Sequence, residues 1–261
     1  MTEETLGFLI LILAGLLVLL VYLAYISTIR RVLETIGLTG GEAGTIILVT
    51  IFFGWISIPL FPYGGWWVGI SLGGALIPLL ICVKLLWSRR VGLAEGAIGI
   101  VIVAYVAYFL TRAEEGVGIV ADIEWAFAPA LAAGLYSMST FWMDMSRAAP
   151  LAYVSGVMGT IVGADVFHLS EILSYAPPEE GVAMLSIGGA NIFDMVYLTG
   201  IVAVIVAIIV YKARRRQEAY GVGPKIDEGL PPSLLKDRRK RGNGSPQSSQ
   251  WPAWSFRDKK I

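Results

Sequence analysis

Two aspartates stand where an apolar chain has least use for them. Asp165 closes GTIVGAD (159–165), and Asp194 lies inside SIGGANIFDMVYLTG (186–200), each in a run otherwise rich in Ile, Val, Leu and Phe. A lone carboxylate at mid-bilayer costs about 2.5 to 3.5 kcal/mol on insertion scales, so such acids face a partner, a wet cavity or a pathway. On consecutive antiparallel helices at similar depth, the two are expected to face each other or to share a wet pocket, with at least one of them protonated. Asn191 comes three residues before Asp194 and Tyr197 three after, which puts both on the bordering helical face, within reach of the carboxylate. The pair Gly188 and Gly189 permits a helix break or a close approach. Three chemistries stay open: moving a proton, binding a passing cation, or hydrogen-bonding two helices together.

Other helices carry matching interruptions. Gly73, Gly74 and Pro78 break SLGGALIPLL, Pro129 sits in FAPALAAG, and Gly159 and Gly163 precede Asp165. Counted from the expected outer ends at 1.5 Å per residue, all fall roughly 6 to 18 Å inward, so they can converge on one cavity. Gly73, Gly74, Pro129, Gly163, Gly188, Gly189, Asn191 and Tyr197 are therefore the candidate substrate- or ion-binding residues, with Asp165 and Asp194 as the candidate catalytic pair. For the glycines alone, helix packing is the simpler role. His168 and Glu171 follow Asp165 too widely spread around the helix for a metal site, and no second histidine exists. No metal or cofactor is expected.

The elements that must hold these residues are membrane helices. Of 261 residues, 56% are hydrophobic and only 15% charged, against about 25% charged in soluble domains. Apolar runs at 6–26, 44–60, 66–87, 91–110, 123–143, 151–173 and 182–211 predict an all-α, polytopic bundle of about seven helices, some broken by Gly or Pro. Residues 31–38 read as a short amphipathic connector. Charges in the connections alternate as seven crossings require. One side receives Arg30, Arg31, Arg89, Arg90 and Arg147, and the other Glu114, Glu115, Asp122, Glu124, Glu179 and Glu180 with only Arg112 opposed. That places the chain in the cell membrane, with the N-terminus outside and the C-terminus in the cytoplasm. The chain divides into a helical domain, 1–211, and a basic tail, 212–261, with 13 Lys/Arg against 5 Asp/Glu. The tail's composition points to disorder and to contact with anionic lipid as well as to a topology anchor; no specific nucleic acid is expected. Cys82 is alone in the chain and reads as a small core residue.

Over residues 36–207 the sequence resembles a prokaryotic membrane family catalogued as domain of unknown function 1614. The resemblance rests on ISIPLF (56–61), LGGALIP (72–78), GVGI (116–119), PALAA (129–133), the GxxGTIVGAD run (156–165) and the SIGGAxxFDxxYLTG run (186–200). Asn191 and Met195 stand where that family has glycine. The family label brings no activity. A weaker analogy links the two aspartate segments to presenilin-like intramembrane aspartyl proteases, which implies that one carboxylate activates water while the other protonates a peptide carbonyl. The segments differ from that clan: GGANIFD is not GxGD, and Pro129–Leu131 precedes the aspartates. The competing reading is a transporter or channel for a cation or a proton-coupled solute, and the third a non-catalytic scaffold. A transmembrane peptide or a cation is the corresponding substrate.

Overall fold

The computed structural model describes residues 3–115, 118–122, 124–177, 184–189 and 194–219. The chain divides into residues 1–214, which hold the elements below up to the last turns of the final helix, and residues 215–261, of which 215–219 continue that helix.

Helices dominate. Among the described residues they are α1 (Glu3–Thr35), α2 (Gly40–Phe53), α3 (Leu72–Trp87), α4 (Leu93–Leu110), α5 (Ala128–Thr140), α6 (Met145–Ile172) and α7 (Met195–Ala219). Four of them, α1, α4, α6 and α7, contain stretches long and apolar enough to cross a membrane. The expected connector at 31–38 is largely the end of α1, which runs on to Thr35 and buries Ile29, Val32 and Leu33 in the core. The helix before Tyr25 is largely exposed, Phe8, Leu11, Leu17 and Val21 included, and Tyr25 and Ile26 are where it begins to pack.

The expectation of an all-α fold is corrected in three places. Residues 57–60 and 66–71, drawn into the second and third helices, belong to the antiparallel strands β1 (Ser57–Tyr63) and β2 (Trp66–Ser71). Between them Gly64 and Gly65 both take positive φ, 57° and 88°, the two-residue turn whose twist matches a hairpin. Pro59 and Pro62 cannot donate to a helix, and Ile, Phe, Tyr and Trp suit a pleated strand. The last helix, expected from 182, begins at Met195; before it, β5 (Met184–Ile187) pairs in parallel with β2 to give the order β1-β2-β5. A second hairpin, β3 (Thr111–Glu114) with β4 (Gly118–Ala121), follows α4. Arg112 bridges Glu114 and Asp122 there at 2.8 and 3.0 Å. These two carboxylates push the guanidinium pKa up.

Small residues bring the helices together. A Cβ on Gly159 would lie 2.5 Å from Val103 Cβ, and one on Gly163 would lie 2.8 Å from the Ala104 Cα, so α6 touches the α4 backbone directly. On another side of α6, Gly156 meets Thr199 and Ala203, while the Tyr153 ring rests on Gly200. This is how helices associate where water gives no hydrophobic drive between them. Cys82 is fully buried in this core.

The close approach at Gly163 gives a paired prediction. Gly163→Ala should lower unfolding stability in detergent by about 1 to 3 kcal/mol through backbone displacement. Gly44→Ala, in open space on α2, should raise it by up to about 1 kcal/mol. Equal effects of the two substitutions in thermal melts would contradict this packing.

Candidate functional site

Among the described residues two helices contain π-helical segments, and both do so at candidate residues. The first turn of α3, Leu72–Leu76, is π-helical and carries Gly73 and Gly74, both buried. In α6 the segment Ile161–Val166 is π-helical and carries Gly163 and Asp165. Each such segment widens the helix by a residue per turn, a cost met most often at functional sites. Ser71 starts the first: its side chain accepts from the Gly74 N–H at 3.2 Å and donates to the Gly54 carbonyl at 3.3 Å.

Gly188 joins the two segments. It takes φ of 70° directly after β5, a conformation in which a side chain is strained. Its neighbours leave no room for one either, since a Cβ there would lie 2.6 Å from the Ala75 Cβ and 2.7 Å from the Gly74 carbonyl carbon. A Cβ on Gly74 would in turn strike the Gly188 carbonyl and lie 3.2 Å from the Asp194 Cβ. The Gly188 N–H meanwhile donates to the Asp165 carboxylate, and Asp194 lies close enough to act on that carboxylate electrostatically. The second carboxylate oxygen, Oδ2, is buried with no hydrogen-bond partner among the described residues.

Asp194 has a further task. Its Oδ1 accepts the Val196 N–H at 2.7 Å, and its carbonyl accepts the Leu198 N–H at 2.9 Å, so it is the N-cap of α7. A helix drawn through this position hides that role. Tyr197 is buried in the first turn of α7, on the side where Tyr153 of α6 packs. Gly189 is exposed in the turn, and Asn191 lies outside the described residues.

Not every candidate joins the cluster. Gly163 faces α4, and Pro129 stands buried in the first turn of α5, where a missing N–H costs nothing. The contacts that gather Gly74, Gly188, Asp165 and Asp194 include neither. His168 is clamped: Nδ1 is 3.1 Å from Glu171 Oε2, Nε2 is 3.3 Å from the Tyr108 carbonyl, and the ring stacks on Tyr108 at 4.9 Å. Among the described residues no group of His, Cys, Asp and Glu is placed to hold a metal.

Several positioning residues carried signals that hydropathy alone does not register. Ser57 and Ser186 hydrogen-bond through their hydroxyls at 2.8 Å and tie β5 to β1. Trp66 Nε1 donates to the Tyr175 carbonyl at 3.1 Å and ties the hairpin to the chain after α6. A cleft of about 400 Å³, lined by Tyr63, Val166, Leu169, Ser170 and Leu173, opens beside the residue that follows Asp165. The pair Gly64-Gly65 between strand-forming residues was the readable sign of the hairpin.

A family model described as Protein of unknown function (DUF1614) matches residues 39–206. The chain belongs to this family. The match begins at Thr39, the N-cap of α2, and ends within α7. Both aspartates and both π-helical segments therefore fall inside the family region, whereas α1 falls outside it. No curated protein and no solved structure matches the chain.

The cap and the turn can be separated by substitution. Asp194→Ala should cost about 1 kcal/mol of unfolding free energy, whereas Asp194→Asn, an equally good cap, should stay within about 0.5 kcal/mol of the parent. Gly188→Ala should cost more than either, about 2 to 3 kcal/mol, from strain and overlap together. Denaturation in detergent checks the order, and a harmless Gly188→Ala would contradict the close approach.

Proposed function

We propose that Asp165 and Asp194 form an intramembrane acidic site that hydrolyses a peptide bond in an extended segment of a membrane substrate. The observation that carries this is the carboxylate of Asp165, with one oxygen bonded by the Gly188 N–H, the other buried without a partner among the described residues, and Asp194 within electrostatic reach. In such a site one carboxylate takes a proton from water as its oxygen adds to the carbonyl carbon. The other protonates the carbonyl oxygen, and the C–N bond then breaks with proton transfer to the leaving amine. Gly188 positions Asp165, and the helix start at Asp194 fixes the second acid. β5 is an edge strand ending just before Gly188; an extended peptide laid along it by strand addition would run past both acids. On this reading the cleft beside Val166 would be the side entrance.

Transport of a cation or a proton-coupled solute is the second reading. It is favoured by the start of two helices, α3 and α7, beside the two acids, as interrupted helices do in carriers. Both readings place the chain as a polytopic protein of the cell membrane, N-terminus outside. Residues 1–211 then form the working domain, and the basic tail, 212–261, lies in the cytoplasm against anionic lipid. A scaffold whose aspartates only join helices is the third outcome.

Reconstituted vesicles decide among them when cleavage of transmembrane peptides and ion flux are measured on one preparation. Asp165→Asn and Asp194→Asn should each lower cleavage by at least about 100-fold with normal accumulation in the membrane. Flux without cleavage, lost in both variants, would replace hydrolysis by transport. Failure of both variants to accumulate would assign the acids to structure.

A further inference from the structure

A cleft of about 410 Å³ opens between α2 and α3, away from the aspartates. Its walls are apolar, with Ile46 and Val49 from α2 and Ile77, Leu80 and Ile81 from α3. The charged groups of its lining are Glu42, in the first turn of α2, and Lys84, in the last turn of α3, which form an ion pair across the gap with both side chains nearly half exposed. Glu42 is anchored as well as paired: its Oε2 accepts the Thr39 N–H at 2.9 Å in a capping box. The Lys84 hydrogen bond, followed by that of Thr39, holds its pKa down to about 2, so the carboxylate stays charged. Seven residues of helix separate Lys84 from Ile77, about 10 Å. A fixed pair of opposite charges thus heads an apolar trough, on a chain with four helices suited to a bilayer. That is the outline of an amphiphile.

The spare hydrogen-bonding capacity says which one. An ammonium has three donors, and Lys84 gives one to Glu42; a carboxylate has about four acceptor sites, and Glu42 uses one on Lys84 and one on Thr39. The remaining donors suit a phosphate and the remaining acceptors a primary ammonium. We infer that the α2–α3 cleft binds a phospholipid whose headgroup carries both groups, the phosphate on Lys84 and the ammonium beside Glu42, with one acyl chain along Ile46, Val49, Ile77, Leu80 and Ile81. An anionic headgroup without an amine leaves Glu42 facing a phosphate, and a quaternary ammonium has no N–H to give. The site therefore discriminates among lipids, and it does so independently of what the aspartates do.

The test uses the full chain in vesicles of equal phosphatidylethanolamine, phosphatidylcholine and phosphatidylglycerol, extracted gently and weighed with its bound lipid by native mass spectrometry. Phosphatidylethanolamine should be retained about three- to fivefold over each of the others. Glu42→Gln and Lys84→Met should each erase that preference, and Leu80→Trp, which fills the trough, should remove the bound lipid. Equal retention of the three lipids by the parent chain, or a preference for phosphatidylglycerol, overturns the inference whether or not the variants fold. A preference that survives in folded Glu42→Gln and Lys84→Met overturns it too.

Discussion

The proposed site depends on the approach of one glycine to two helices. Gly188 fits against Gly74 and Ala75 only because neither it nor Gly74 has a Cβ, and from there its N–H reaches the Asp165 carboxylate. Pull that turn away and both π-helical segments lose a contact: Leu72–Leu76 loses its neighbour, and Asp165 loses a backbone donor. A buried carboxylate left without a donor is among the costlier losses available to a membrane chain. Strand β5 makes the approach possible, because its pairing with β2 carries the chain to the start of α3.

Strands inside a mostly helical membrane chain need their own account. α2 has 14 residues and α3 has 16, lengths of about 21 and 24 Å, short of the ~30 Å hydrocarbon thickness. The β1–β2 hairpin follows the one and leads into the other. Its backbone groups pair with each other, and on one side with β5, which is how a non-helical segment can be tolerated near lipid. The hairpin thus lies between the two short helices, and Gly74, at the start of α3, meets Gly188.

Much of this was legible in the sequence, though not evenly. Apolar runs located seven helical segments among the described residues, since a helix satisfies its own backbone and can stay apolar along a long run. The same reasoning overextended three of them, because hydropathy does not separate a helix from a strand: ISIPLF and WWVGIS are as apolar as their neighbours. Turn chemistry would have separated them, through Pro59, Pro62 and the pair Gly64-Gly65. Asp165 and Asp194 stood out by the price of a charge in lipid, and Gly188 and Gly189 by composition. That Gly188 would donate to Asp165, or that Asp194 would start a helix rather than interrupt one, depends on a positive φ and a helix boundary, which no local pattern in 186–200 fixed. Gly163 shows the converse: it neighbours Asp165 in sequence yet faces α4.

The central claim is that Asp165 and Asp194 act on each other. A double-mutant cycle on unfolding free energy, with Asp165→Asn, Asp194→Asn and both together in one detergent at fixed pH, measures that directly. The account predicts a coupling of at least about 0.5 kcal/mol. Strict additivity of two folded single variants would mean that the carboxylates do not sense each other, and would contradict it.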